Sequence, residues 1–375
     1  MLDRIAHRGP DGQGLHRHEG HGVLGHRRLA IMDPERGHQP LANEQNSVFM
    51  VANGEIYNWR SLRESLSGSH DFRTRCDNEV ALHLFEDVGV ELTRRLDGMF
   101  ALAIASGTRL FMARDPIGIK PLYYGWRREG SRESLLFASE MKALAGMVDR
   151  LAELPPGTYY DSTLGIRKYY SLPQHEPWHS GTAPGLEEIR LTIESSIRKR
   201  LMSDVPLGSF LSGGLDSSII AAVARRELGA LHTFAVGIEG SADLEAARRV
   251  ARSIDSTHHE HVFTCREVEK DLGEIIYHLE SFDQDLVRSA IPCFYCARLA
   301  AEHVKVILTG EGADELFAGY HYYRGFRDPA ALHQELRHSV ATLHNVNLQR
   351  VDRMTMAHGI EGRVPFLDVE MIDLA

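Results

Sequence analysis

The chain has 375 residues, 43% of them apolar and 25% charged, the texture of a globular protein with room for about two domains, each with its own core. Its 42 basic and 52 acidic residues give a net charge of −10 and a pI near 6.1, so attraction to a nucleic-acid backbone or an anionic membrane is not its default chemistry. The longest apolar runs, such as 99–105, fall far short of a membrane span, and four cysteines (Cys76, Cys265, Cys293, Cys296) are too few and too uneven for a disulfide framework.

The first thirty residues carry charge at once and no apolar core of seven or more. No secretory leader is expected, and the setting predicted is reducing and cytoplasmic, with a small-molecule substrate. Short β-type runs follow at 23–31, 47–52, 99–105, 110–113, 122–125 and 135–138, with helices over 59–66 and 78–88. Strands in runs with segregated helices predict an α+β domain with antiparallel sheet over residues 1–170. Residues 171–185, holding Pro173, Pro177 and Pro184, read as a linker. From 186 to 375 the rhythm alternates: strand 205–211, helix 215–228, strand 232–238, helix 243–254 and later strand 304–308. That alternation predicts a parallel α/β sheet.

Two loops of this second domain carry chemistry. Ser212-Gly213-Gly214-Leu215-Asp216-Ser217-Ser218 stands between a strand and a helix, where glycines let the backbone approach a ligand and the helix start offers N–H groups to an anion. Spacing alone fits a phosphate cradle and a plain strand-to-helix turn equally, and the absence of Gly-Lys-Ser or Gly-Lys-Thr excludes a Walker A loop. Thr309-Gly310-Glu311-Gly312-Ala313-Asp314-Glu315 follows another strand. Its glutamate at 315 breaks a dinucleotide fingerprint, and three carboxylates around two glycines suit a divalent ion and a base, or simply an acidic first helical turn. Together the loops favour a nucleotide–magnesium site at the carboxyl edge of the sheet.

These segments, with Phe234-Ala235-Val236-Gly237, His258-His259-Glu260 and Glu361-Gly362-Arg363-Val364-Pro365-Phe366-Leu367-Asp368, resemble the synthetase domain of glutamine-hydrolysing asparagine synthetases. In the first domain His7-Arg8-Gly9-Pro10-Asp11-Gly12, Asn53-Gly54-Glu55-Ile56-Tyr57-Asn58 and Asp77-Asn78-Glu79 resemble the glutaminase domain of that family. The resemblance covers nearly the whole chain. It implies an N-terminal nucleophile hydrolase-type α+β glutaminase domain (glutamine amidotransferase type 2), then an α/β ATP-pyrophosphatase domain of the adenine nucleotide alpha hydrolase-like kind. It further implies amidation of aspartate through β-aspartyl-AMP, with ammonia from glutamine and with ATP and Mg2+ as cofactors. By the same resemblance Leu211, Ser212, Gly213, Gly214, Asp216, Ser217, Val236, Thr309 and Gly310 hold ATP, Asp216 and Asp314 hold magnesium, and Glu311 handles the acyl group and the amine. Arg28 and Asp77 are the expected grips on glutamine, and Asn53 with Gly54 the expected oxyanion hole. Taken without the family, Asn53-Gly54 reads as a hairpin turn.

The partners implied are small molecules, with neither nucleic acid nor membrane, and a homodimer is compatible with the family. Glutaminase chemistry of this type needs an N-terminal cysteine, whereas the sequence opens Met1-Leu2 and ends at Ala375. The expectation is therefore a fragment of a longer synthetase, without glutaminase activity as written. Two alternatives stay open: a relative that activates another carboxylate, such as the β-lactam-forming ligases, and a non-catalytic binder. Cys293-x-x-Cys296 is expected to be core packing, and His16, His18 and His21 a solvated loop.

Overall fold

Side chains along a strand alternate between its two faces, and in the N-terminal part of this chain both faces find a core. The structure, a computed structural model, describes residues 1–18, 21–174 and 184–375, so Pro177 and much of the expected linker lie outside the described residues. Two compact units divide the chain, 1–171 and 172–375.

In the first unit the strands are β1 (Gly12–His18), β2 (Gly22–Arg28), β3 (Leu41–Ala42), β4 (Val48–Ile56), β5 (Gly98–Ser106), β6 (Arg109–Arg114), β7 (Tyr123–Glu129), β8 (Arg132–Ala138), β9 (Arg150–Glu153), β10 (Thr158–Asp161) and β11 (Gly165–Lys168). Helices α1 (Trp59–Leu66) and α2 (Glu79–Val88) lie between β4 and β5, and α3 (Met141–Leu144) follows β8. A six-stranded sheet runs in the order β11-β10-β6-β5-β4-β3, and all of its pairs are antiparallel. Phe100, Leu102 and Ile104 of β5 and Phe111 of β6 face Val80, Leu84 and Phe85 of α2, whereas the alternate residues Ala101, Ala103 and Met112 meet Leu122 and Leu154 on the opposite face. The α+β expectation holds. The polar strands β1, β9, β10 and β11 escaped the sequence reading because alternation in them is carried by arginine, tyrosine and glycine rather than by aliphatic side chains. His16 and His18 sit on β1, not on a loop, and the His16 ring stacks on Phe49 at 3.4 Å.

The second unit contains α4 (Leu186–Arg200), β12 (Leu207–Phe210), α5 (Leu215–Leu228), β13 (His232–Gly237), α6 (Ala242–Ile254), β14 (Thr257–Val262), α7 (Cys265–Leu279), α8 (Gln284–Ala301), β15 (Val306–Leu308), α9 (Ala313–Phe317), α10 (Pro329–Thr342), α11 (Asn347–Met356), β16 (Glu361–Arg363) and α12 (Val369–Leu374). Its five strands are all parallel, in the order β14-β13-β12-β15-β16, with Phe234 and Ile307 buried under α8. Cys296 packs in that core and burial pushes the Cys293 thiol up to about 12, so the pair is inert packing. Among the described residues no helix is long and apolar enough to cross a membrane.

The end of this unit is locked by Asp368, which caps α12 through the Glu370 N–H (3.0 Å) and accepts from Arg200 of α4 at 2.6 Å. Burial opposes its charge, but Arg200 and Lys199 outweigh burial and hold the carboxyl below the usual carboxylate range. The unfolded chain therefore takes up the proton at higher pH than the native one. The stabilisation is full above the unfolded value of about 3.9 and is lost as pH falls through the lowered native value. Asp368→Asn is expected to cost about 2 kcal/mol at pH 7, less than outright loss of a buried ion pair because the amide keeps the capping acceptor. Urea unfolding at neutral and at acid pH checks this, since the penalty must shrink in acid.

Candidate functional site

β12 and β15 are neighbours in the sheet, yet the chain leaves β12 towards β13 on one flank and returns to β15 on the other. At such a switch the loops after the two strands part and leave a crevice at the carboxyl edge. A cleft of about 950 Å³ opens there, lined by Ser212, Gly214, Asp216 and Ser217 after β12 and by Thr309, Gly310, Glu311 and Asp314 after β15. Gly213 turns the chain with φ +78°, and a Cβ on it would lie 2.5 Å from the Ala246 backbone, so only glycine fits. Gly214 then starts α5 with no side-chain cap, leaving the first-turn N–H groups available to an anion. The Ser212 and Ser217 hydroxyls stand 3.0 Å apart and the Ser212 N–H donates to Ser217 Oγ at 3.3 Å, which holds the loop in one shape.

Burial pushes up the carboxyls of both Asp216 and Asp314, and the charges of Asp216 and Glu311 add to the effect at Asp314. Neither aspartate has a cationic partner among the described residues. A pair of half-buried, unpaired carboxylates of this kind fits a divalent cation held by hard oxygen ligands. Glu311 is different, because Arg350 Nη2 of α11 donates to its Oε1 at 2.6 Å. Glu315 is closed off by the Tyr320 hydroxyl at 2.6 Å and Asn347 Nδ2 at 3.0 Å. Leu211, Gly213 and Val236 flank the cleft without lining it: Leu211 is fully buried, Gly213 presses on α6, and Val236 packs between the cores under α8. Arg350 was missed by sequence reasoning, since it lies 39 residues from Glu311 with no motif of its own. Its only sequence signal is a charge on a helix face beside the apolar Leu348, Val351 and Met354.

In the first unit Asn53 and Gly54 lie in mid-strand, with β4 pairing to β5 without interruption from Val48 to Ile56, so the hairpin-turn alternative is excluded. Gly54 has φ +124°, and Asn53 Nδ2 is buried with no acceptor among the described residues. Asn78 Nδ2 donates to the Gly54 carbonyl at 2.9 Å and the Ile56 N–H to Asp77 Oδ2 at 2.6 Å, binding the Asp77 segment to this strand. Arg28 is buried, and its guanidinium is turned onto the carbonyls of Met32, Asp33 and Pro34. Asp33 Oδ2 in turn accepts the Arg75 N–H at 2.7 Å, so Arg28 and Asp77 are tied through one loop. Among the described residues Arg28 has no carboxylate partner.

Residues 1–159 match the family model described as a glutamine amidotransferase domain, and residues 188–327 and 324–375 match that described as asparagine synthase. Among curated proteins, "Asparagine synthetase [glutamine-hydrolyzing] 3" of Arabidopsis thaliana is 44% identical over 391 residues, covering 99% of this chain and 66% of that protein. The Sandersonia aurantiaca asparagine synthetase is 41% identical over 389 residues, covering 99% of this chain and 73% of that one. The chain belongs to the asparagine synthase family. An asparagine synthetase of Zea mays, 43% identical over 391 residues, is spanned over 65% of its length, with 99% of this chain covered. The chain thus spans about two-thirds of the length of the curated relatives it matches. The two family segments fall one in each unit, the first on the antiparallel sheets and the second on the parallel sheet with its cleft.

Proposed function

We propose that this chain belongs to an enzyme that carries out the ATP-dependent amidation of L-aspartate to L-asparagine, with ammonia released from glutamine by a cysteine nucleophile that residues 1–375 as written do not include. The observation that carries the reading is the convergence, in one cleft at the β12/β15 switch, of an uncapped helix start, two unpaired aspartates and a glutamate fixed by arginine. Ser212, Gly214, Ser217, Thr309 and Gly310 hold the nucleotide, with Leu211, Gly213 and Val236 supporting the loop from behind. Asp216 and Asp314 hold Mg2+, which when bound neutralises charge on the departing pyrophosphate. A side-chain carboxylate oxygen of aspartate attacks the α-phosphorus of ATP and pyrophosphate leaves, giving β-aspartyl-AMP. Ammonia then adds to the acyl carbon, AMP departs, and Glu311 orients the amine and takes its proton. In the first unit Arg28 meets the glutamine carboxylate, Asp77 its amino group, and Asn53 Nδ2 with the Gly54 N–H the developing oxyanion.

Pyrophosphate release from ATP, measured with L-aspartate and ammonium against a panel of other carboxylic acids, tests the synthetase reading. Aspartate-dependent release with matching AMP is the expected result. Release only with another acid, or ATP binding without turnover, overturns it. Arg350 is a positioning residue in this scheme. Arg350→Lys keeps the charge but loses the planar fork, so kcat is expected to fall about tenfold with the KM for ATP little changed. A fall in ATP affinity instead would place Arg350 at the nucleotide.

A further inference from the structure

Four side chains from three segments of the first unit converge without belonging to either candidate site: Glu44 after β3, His70 between α1 and α2, and His83 and Glu86 one turn apart on α2. His70 Nδ1 lies 3.3 Å from Glu44 Oε1 and 3.8 Å from Glu86 Oε2, while His83 Nδ1 lies 3.3 Å from Glu86 Oε2 and 3.8 Å from Glu44 Oε1. The two at 3.8 Å are beyond hydrogen-bond reach, and the one between His83 Nδ1 and Glu86 Oε2 is a weak hydrogen bond. Four N and O donors about 2.0–2.1 Å from a tetrahedral zinc ion stand about 3.3–3.4 Å apart, so two of the separations already match and the two at 3.8 Å need a closure of about half an ångström onto the ion.

The outer contact of His70 has the pattern that a metal-bound histidine needs. His70 Nε2 meets Asp87 Oδ1 at 2.9 Å, and His83 Nε2 faces Glu79 Oε1 at 3.8 Å. The Asp87 carboxylate turns the His70 Nδ1 lone pair inward and raises its basicity, while His83 Nε2 is buried with no acceptor within hydrogen-bond distance among the described residues. Asn43 Nδ2 braces the second oxygen of Glu86 at 2.7 Å, whereas the Asp71 N–H donates at 2.7 Å to Glu44 Oε1 itself, which leaves the other lone pair of that oxygen for a cation. The His83 side chain is fully buried. Around two imidazoles stand four carboxylates, Glu44, Glu79, Glu86 and Asp87, an excess of negative charge that a divalent cation would halve.

We propose that Glu44 Oε1, His70 Nδ1, His83 Nδ1 and Glu86 Oε2 form a closed tetrahedral site for a divalent cation of zinc's preferences. With all four positions filled by the protein, the ion is structural. It clamps α2, which starts two residues after Asp77, to the segments that carry Glu44 and His70, and so fixes the helix that presents the candidate glutamine grip. The site stands independently of the ligase reading. A second histidine group, His232, His259 and His303, stacks its rings face to face at 3.9–5.7 Å, and His232 Nδ1 already shares a hydrogen bond with His259 Nε2 at 2.9 Å, closer than two ligands of one zinc ion stand, so it serves as the control.

The test uses the untagged chain, stripped with a chelator, reloaded with Zn2+, dialysed and assayed for bound zinc by atomic emission. About one zinc per chain is expected in the parent, none in His70→Gln, and unaltered retention in His259→Gln. Asp87→Asn, at an exposed position that leaves the fold intact, is expected to weaken zinc binding about tenfold or more. Zinc should also raise the melting temperature of the parent and not of His70→Gln, with circular dichroism confirming that the variant is folded. A parent that retains no zinc, as for a proton-sharing histidine–carboxylate network, overturns the proposal. So does zinc that persists in both His70→Gln and Asp87→Asn, or that disappears in His259→Gln.

Discussion

Asp314→Asn is expected to lower aspartate-dependent pyrophosphate release by about a thousandfold in kcat, near 4 kcal/mol of transition-state stabilisation, and to leave the protein folded. The two effects separate because of where the carboxylate stands. It has no cationic partner to lose among the described residues, and its own charge is disfavoured by burial and by Asp216 and Glu311. An amide of the same shape relieves that repulsion, so urea unfolding should show unchanged or slightly higher stability. What it removes is half of the proposed cation-binding pair, in a cleft where charge develops on pyrophosphate during the reaction. Asp216→Asn should behave alike, and the double variant should lose little more than either single one, because two ligands to one ion act as a unit. A kcat for Asp314→Asn within about threefold of the parent would remove Asp314 from the metal site.

The same contrast between local and distant partners decides what could be read from the sequence. The switch-point loops were legible because each motif is contiguous: apolar strand, glycine turn and helix start occur within a few residues at 207–218 and again at 306–315. The division into an antiparallel and a parallel unit was legible for the same reason, through runs against alternation of elements. Asn53-Gly54 was ambiguous, because asparagine and glycine that serve a two-residue turn also serve a strand forced to φ +124° by a neighbour, and only the pairing with β5 distinguishes them. Arg350 and the Glu44–His70–His83–Glu86 group carried little local signal beyond a charge on an amphipathic helix and one i,i+3 pair. Their meaning arises from contacts between α11 and the loop after β15, and between α2 and two irregular segments, that no spacing rule encodes.

Gly54→Ala should be the most damaging small substitution in the first unit. Any L side chain at φ +124° is strained, and here the added Cβ would stand 1.9 Å from the Met99 carbonyl oxygen of β5. The strand opposite has little room to retreat, because β5 is paired on its far side with β6 and Met99 and Phe100 are fully buried. Relief therefore requires β4 and β5 to separate at the middle of the six-stranded sheet. Backbone strain and overpacking together are expected to cost about 4 kcal/mol, a large share of a domain's typical stability of about 5–15 kcal/mol. Chemical unfolding should report the loss through unit-1 signals, with the cleft of the second unit still binding nucleotide. A cost below about 1 kcal/mol would mean that the close approach of the two strands yields readily. In that case the positive φ at Gly54 could not be what fixes the Asn53 amide and the Gly54 N–H in place.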